Sequence, residues 1–525
     1  MLLDRCIPLE INCALESSRS KDYFNTDHLK TGLRTRALRG ASLSIVGQIS
    51  SFIIQTTGTI LLARLLTPHD FGLVTMVISL SLLLQGFGSN GFIEAIVQKK
   101  EIQHNQISTL FWINAGLSLL LMLLFIALAP LIAWFYKEPQ LKMIVVAMAS
   151  SILLGGLSNQ HTSLLMRNMQ FFRTTLNEVI AGFLSVAVAV ILAYRGWGYW
   201  ALVTKWIMTP LIVTVGAWIL CGWRPGLPGR GTGVRPMLRF AFHTYGNFVM
   251  SYFRRNIDKI LIGRSFGSQQ LGFYDRAYHL SNMLPVQILS PLNSVSIATF
   301  SRLSDDPAKY RHTYLKMLSI IAAIGMPLSA ALTLISHDVI LLLLGPQWHE
   351  TGHIFCAFAP SIGVAIIYFT HGWLHLSLGT PDRWFRWSII EFIVTITCFI
   401  IGVRLGGALG VAIAFSISFY ILIGPALWYA GKPIDLKLHF IFTSIWKYYV
   451  AACGSAILCW LFFHVYGSMS SLYDALNVVF RMTTSIFFCM LSYLLLVVAL
   501  HRGIEPITQV ISVFREMVED RKSEP

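Results

Sequence analysis

Fourteen long apolar segments divide the sequence, and this feature most limits the folds that the chain can adopt. A helix that spans a bilayer needs about 20 mainly apolar residues. Only 12% of the 525 residues are charged, whereas an ordinary soluble domain is about a quarter charged. We therefore predict an all-α polytopic membrane protein with polar tails at 1–39 and 502–525. The predicted spans are 41–63, 71–93, 111–133, 143–165, 174–194, 199–221, 240–263, 272–298, 317–335, 353–378, 388–403, 408–429, 448–464 and 477–499.

The basic residues between these segments indicate their orientation. Lys and Arg concentrate in every second connection, for example at 224–239 and 302–316. Cytoplasmic connections of membrane proteins carry an excess of Lys and Arg, so we predict that both termini are cytoplasmic. The same distribution explains the formal net charge of +15, and we expect no nucleic acid partner.

An internal repeat divides the chain into two related halves. The stretch "ILLARLLTPHDFGL" (60–73) aligns without gaps with "ILIGRSFGSQQLGF" (260–273), at an offset of 200 residues. Internal repeats are typical of transporters, and six intervening spans give both halves the same orientation. We therefore predict two pseudo-symmetric six-helix lobes around a central cleft, with two more helices at the C-terminus. The predicted parts are an N-lobe at 40–222, a cytoplasmic linker at 223–239, a C-lobe at 240–430 and the last two helices at 431–501.

A band of polar and charged residues crosses the otherwise apolar seventh span. Residues spaced by three or four positions share one face of a helix. The members of the band are Asn247, Ser251, Arg254, Arg255, Asp258 and Lys259. The stretch 254–259 has a formal charge of +2, and each charge at the bilayer centre costs about 2.5 kcal/mol or more. We therefore expect these side chains to face a wet cavity, where arginines can bind a phosphate or carboxylate.

The equivalent face of the first span is polar but uncharged, with Ser51 and Gln55 at the positions of Ser251 and Arg255. We predict that both faces line a substrate cavity. The alternative is a buried ion-pair network that holds the two helix bundles together. A further alternative for Lys259 alone is that its side chain extends to the outer membrane surface. Asp275 and Arg276 open the next span and either extend the band or lie at the lipid headgroups.

Four carboxylates are candidates for ion coupling, and each has a plainer interpretation as an interfacial or paired residue. They are Asp258, Glu94, Glu178 and Glu391. The stretch "HETGH" (349–353) matches the H-E-x-x-H zinc pattern, but it follows "LGPQW" in an outer connection and has no third ligand nearby in the sequence. The eight cysteines form no C-x-x-C. We expect no metal site, no cofactor and no disulfide framework.

Several motifs together resemble those of the polysaccharide-transport flippases, which belong to the multidrug/oligosaccharidyl-lipid/polysaccharide exporter superfamily. The resemblance is carried by "LLARLLTPHDFGLVTM", "NIDKILIGRSFGSQQLGFYDRAYHLSNMLP", "SPLNSVSIATFSRLSDDPAKYRHTYLKML", "LLLLGPQWHETG" and "LSLGTPDRWFR". Colanic-acid and exopolysaccharide exporters are particularly similar. The resemblance implies a V-shaped two-lobe fold and alternating access, coupled to H⁺ or Na⁺.

The resemblance also implies a function: translocation of an undecaprenyl-pyrophosphate-linked oligosaccharide, an exopolysaccharide or O-antigen repeat unit, across the bacterial inner membrane. The partners would be the lipid-linked sugar, membrane lipids and other polysaccharide-assembly membrane proteins. We expect no enzymatic activity. Two alternatives are a membrane enzyme that polymerises or ligates such sugars, and a multidrug exporter with the same fold. The enzyme would need a large outer loop, and the drug exporter would favour an acidic cavity.

Overall fold

The computed structural model describes residues 33–89, 96, 102–229, 234–464, 477–506, 508 and 512. Within this part of the chain every long element is an α-helix, and no strand occurs. This confirms the all-α prediction. The helices are α1 (Leu33–Leu65), α2 (Pro68–Ser89), α3 (His104–Tyr136), α4 (Leu141–Arg167), α5 (Phe171–Tyr194), α6 (Tyr199–Cys221), α7 (Arg235–Arg302), α8 (Pro307–Leu334), α9 (Ser336–Leu343), α10 (His349–Phe369), α11 (His371–Ser377), α12 (Pro381–Gly431), α13 (Leu438–His464) and α14 (Val478–His501).

Two of these helices each contain two predicted spans, separated by glycines with non-helical backbone angles. The break lies at Gly267 in α7 and at Gly406 and Gly407 in α12. By length and composition, eleven described helices could cross a membrane, or twelve if the bent pair Arg255–Asn293 and Val295–Arg302 counts as one span. That count takes α12 as a single helix. With both breaks considered, each of the fourteen predicted spans overlaps helix in the described residues, although 90–93 of the second span lie outside them.

The contacts divide the chain into two compact units, at Asn256 and Ile257. In the first unit α3 packs on α4, α5 on α6, and α1 on α5. In the second unit α8 packs on α10 and α13, and α10 on α12. The C-terminal pair α13 and α14 packs together and against α8. This division falls within α7, and the lobe boundaries predicted from the sequence stay a prediction.

Within the first unit, the residues that follow α6 pack against α3. The Gly226 amide donates to Ser108 Oγ at 3.0 Å, and Trp112 Nε1 donates to the Gly226 carbonyl at 2.9 Å. Trp223 Nε1 donates to His104 Nδ1 at 3.2 Å. The first part of the predicted linker is therefore tied to α3 by side chains of that helix.

Basic residues of the predicted cytoplasmic connections bind carbonyls at the C-terminal ends of helices. Arg383 donates to the Tyr429 carbonyl at 2.6 Å, and Arg173 donates to the Leu220 carbonyl at 3.0 Å. Such carbonyls lack a partner within the helix and carry partial negative charge. Part of the charge asymmetry of the sequence therefore also stabilises helix ends.

Candidate functional site

The break at Gly267 brings together two parts of α7 that a straight helix would keep apart. Sixteen residues of continuous α-helix are about 24 Å long, yet the Tyr274 hydroxyl lies 2.8 Å from Asp258 Oδ2. The chain must therefore fold back between these residues. Gly267 has φ 80° and ψ −178°, a combination that only glycine adopts without strain.

Asp258 is deeply buried, with 2% of its surface exposed. Its Oδ2 accepts the hydrogen bond from Tyr274, and its Oδ1 has no hydrogen-bond partner in the described part of the chain. Tyr274 is fully buried and packs on Tyr278 and Phe358, with ring centroids 6.2 and 5.5 Å away. The carboxylate thus lies in an aromatic pocket with one oxygen still able to accept a proton or bind a cation.

Lys259 belongs to a compact ion-pair network. Its Nζ lies 2.8 Å from Asp275 Oδ1 and 5.1 Å from the centre of the Tyr278 ring. Arg276 pairs with the other oxygen of Asp275. In formal charge, Asp258 and Asp275 balance Lys259 and Arg276. The remaining +2 of the band comes from Arg254 and Arg255.

The structure places the other predicted cavity residues as follows. Arg255 is exposed, Gln55 is exposed and Ser51 is half-buried. Asn247, Ser251 and Arg254 lie on α7, but their side chains are outside the described part. Of the candidate coupling residues, Glu178 on α5 is exposed and Glu391 on α12 is 7% exposed. Glu94 lies outside the described residues.

For Asp275 and Arg276 the sequence left two alternatives open, an extension of the band or a position at the lipid headgroups. It did not identify Tyr274 or Tyr278. The internal repeat contained the necessary signal. Because 60–73 ends one helix and begins the next, the matching stretch 260–273 has to turn as well. Residues just after it therefore return towards Asp258 and Lys259.

A model of the family described as "Polysaccharide biosynthesis protein" matches residues 61–352, which is more than half of the chain. The chain belongs to this family. Its curated relatives include the lipopolysaccharide biosynthesis protein WzxC of Escherichia coli (strain K12), 24% identical over 428 residues, 77% of this chain and 85% of the relative. They also include the teichuronic acid biosynthesis protein TuaB of Bacillus subtilis (strain 168), 25% identical over 480 residues, 88% of this chain and 95% of the relative. The family resemblance seen in the motifs is confirmed.

Solved structures show the same fold. The lipid II flippase MurJ in an inward closed conformation superposes with a TM-score of 0.68 at 17% identity, over 87% of this chain and 99% of that chain. An inward-facing multidrug resistance MATE transporter of the MOP superfamily has a TM-score of 0.58 at 12% identity, over 73% and 94%. At these identities the similarity establishes the fold. The bacterial relatives and the many apolar helices together show that this family member is a multi-pass bacterial membrane protein.

The "HETGH" stretch forms the first turn of α10. In the described residues no group of three or more His, Cys, Asp and Glu side chains is arranged to hold a metal ion. The His353 ring does contact His337 of α9, with ring centroids 4.4 Å apart.

Proposed function

We propose that this protein flips a lipid-linked oligosaccharide across the bacterial inner membrane by alternating access. The substrate class is an undecaprenyl-pyrophosphate-linked repeat unit of an exopolysaccharide or O-antigen. The observation that carries the proposal is family membership combined with a fold that covers 99% of a lipid II flippase. A relative from Rhizobium meliloti, 22% identical over 359 residues, is named as a succinoglycan biosynthesis transport protein. No covalent bond is made or broken in such a process.

The charged band is suited to bind an anionic group of the substrate. Its basic residues have two different roles. Lys259 is neutralised by Asp275, so it orders the site and does not supply excess charge. Arg255 is exposed, and together with Arg254 it supplies the +2 that a pyrophosphate or acidic sugar would offset. Asn247, Ser251, Ser51 and Gln55 are suited to hydrogen bonds with sugar hydroxyls.

The relatives and the connections of the second unit favour transport over the two alternatives. A polymerising enzyme needs a large outer loop, but α8 and α10 are joined only by the short α9 and the turn Pro346–Trp348. The similarity to a multidrug transporter concerns the fold alone, at 12% identity. The named relatives are polysaccharide biosynthesis proteins.

Coupling to H⁺ or Na⁺ would use buried carboxylates. Asp258 is the strongest candidate because it is buried and its Oδ1 has no partner among the described residues. Glu94, Glu178 and Glu391 are the others. We further propose cytoplasmic termini, lobes at 40–222 and 240–430, and cooperation with other polysaccharide-assembly membrane proteins. The Asp338–Arg481 pair joins α9 to the start of α14, which fits the predicted topology because both then lie on one side of the membrane.

The proposal is tested by complementation of a strain that cannot export its polysaccharide. We expect the wild-type chain to restore export, and Arg254→Ala/Arg255→Ala to restore little of it at matched membrane abundance. Arg264→Ala is the matched control, because this arginine is exposed near the far end of the same span. If the wild-type chain restored export of none of the repeat units tested, that result would oppose the flippase assignment. Full export by the double variant would refute only the anion-binding role.

A further inference from the structure

Two histidines on neighbouring helices meet at the start of α10, in a region that the proposed transport function does not use. His337 lies on α9 and His353 on the first turns of α10, and both side chains are exposed. Their ring centroids are 4.4 Å apart, and the ring planes are inclined by 74°. His353 is also the last residue of "HETGH". Its partner, His337, precedes this stretch in the sequence and lies on a different helix.

The backbone fixes the position of His337. A Cβ atom added at Gly352 would lie 2.5 Å from His337 Nδ1 and 3.4 Å from its Cα. Only glycine at this position therefore lets α9 approach α10 so closely. On the next residue of α9, Asp338 forms a two-point ion pair with Arg481 of α14, which holds the short helix in place. The contact between the imidazoles is therefore built by helix packing.

The rival pair within the zinc-like pattern is arranged differently. His349 and His353 are one helical turn apart, but the His349 ring packs near Phe273, with centroids 6.3 Å apart. Its Nε2 lies 3.5 Å from Glu350 Oε1. His337 is therefore the imidazole whose ring contacts His353.

Two imidazoles at this separation match the ligand preference of borderline divalent metals. With Zn–N bonds of about 2.0–2.1 Å, two imidazoles on one tetrahedral ion have centroids about 5 Å apart. The observed centroid separation of 4.4 Å is close to this value.

We propose that His337 and His353 form an exchangeable binding site for Zn²⁺ or Cu²⁺, with water completing the coordination. A group of three protein ligands is absent from the described residues, so the ion would exchange with solution and would not be a permanent structural component. Bound metal would join α9 to α10. The site lies on the predicted outer side of the membrane, where metal ions of the surrounding compartment could reach it.

The test uses the full-length chain, purified in detergent with an affinity tag that lacks histidine and then freed of metal by a chelator. Zn²⁺ affinity is measured by competition with a chromophoric chelator. We expect His337→Gln and His353→Gln each to weaken binding by about tenfold or more, since even loss of an outer-shell partner typically has an effect of this size. His349→Gln should leave binding unchanged. Unfolding temperatures measured without metal show whether each variant is folded.

Electron paramagnetic resonance with one equivalent of Cu²⁺ gives an independent readout. We expect two coordinated imidazole nitrogens in the wild-type chain and one in each single variant. Loss of affinity in His349→Gln together with unchanged affinity in His337→Gln would assign the site to the "HETGH" pair and overturn the proposal. Unchanged affinity in the folded variant His337→Gln/His353→Gln would overturn it as well. Neither readout depends on export, so this inference and the proposed function can fail separately.

Discussion

The two copies of the internal repeat form the same helix–break–helix element but differ in charge. In the first copy α1 ends before Thr67 and α2 follows, and in the second copy α7 breaks at Gly267. At five positions near the break, the first copy has small or uncharged residues, whereas the second copy has the residues of the ion-pair network and Tyr274. The equivalent pairs are Gly58 and Asp258, Thr59 and Lys259, Val74 and Tyr274, Thr75 and Asp275, and Met76 and Arg276.

The difference shows that the fold itself does not require the charges. At Gly58 the first copy uses the absence of a side chain for close packing, because a Cβ there would lie 2.6 Å from Val186 Cγ1 on α5. The second copy places a carboxylate at the equivalent position and needs Tyr274 and Lys259 nearby to accommodate it. A costly buried network in only one of two equivalent elements indicates selection for function.

The largest expected effect comes from removing the central carboxylate of the network. Asp275→Ala would leave Lys259 and Arg276 largely buried without their common partner. Breaking a buried ion pair in this way costs about 3–5 kcal/mol, so we expect a large fall in the free energy of unfolding in detergent. The matched control is Thr75→Ala in the first copy, with an expected loss of about 1 kcal/mol. Similar losses in both variants would remove the energetic distinction between the copies.

A smaller effect is expected at the hydrogen bond between Tyr274 and Asp258. Tyr274→Phe removes the donor and leaves a buried carboxylate unsatisfied, which costs about 1–3 kcal/mol. In an Asp258→Asn background the same change should cost less, because the charge that needs the donor is gone. A double-mutant cycle on unfolding measures this coupling, and additive losses would contradict a direct interaction.

Substitution by alanine should destabilise the breaks of the two copies for different reasons. Gly267→Ala places a side chain at φ 80° and ψ −178°, a conformation that costs about 1–3 kcal/mol for other residues. No atom lies within 4 Å of the added Cβ, so this cost is conformational and not steric.

The first turn instead depends on a side-chain cap. Thr67 Oγ1 donates to Asp70 Oδ2 at 2.6 Å, and the Asp70 amide donates to Thr67 Oγ1 at 3.3 Å. Loss of such a cap costs about 1 kcal/mol. In chemical unfolding, Gly267→Ala should therefore lower the free energy of unfolding by at least as much as Thr67→Ala. The reverse order would show that the second break tolerates other backbone conformations.

The helices of this protein could be predicted because lipid imposes a simple requirement on sequence: long apolar runs. The repeat further predicted that the chain turns after Arg64 and Arg264. The partners within the site could not be predicted, because they depend on how closely the chain folds back at Gly267. A net charge of +2 over 254–259 suggested that Lys259 was available for substrate, but its partner Asp275 lies in the next predicted span.

Residues of the linker illustrate the same limit. The stretch "GWRPGLPGRGTGVRPM" is rich in Gly and Pro, a composition typical of a flexible linker. Its first part is nevertheless ordered, because Ser108 and Trp112 of α3 bond to the backbone of Gly226. These side chains are distant in sequence, and local composition contains no information about them.

The smallest effect is expected at the two equivalent arginines, Arg64 and Arg264, which are both exposed at corresponding positions of the repeat. Exposed substitutions usually change stability by less than about 0.5 kcal/mol, so Arg64→Ala and Arg264→Ala should both unfold like the wild type. Both should also support normal export in the complementation assay. If Arg264→Ala alone reduced export, the charged band would extend further along α7 than Lys259. The functional difference between the two copies would then include a position at which both copies have the same residue.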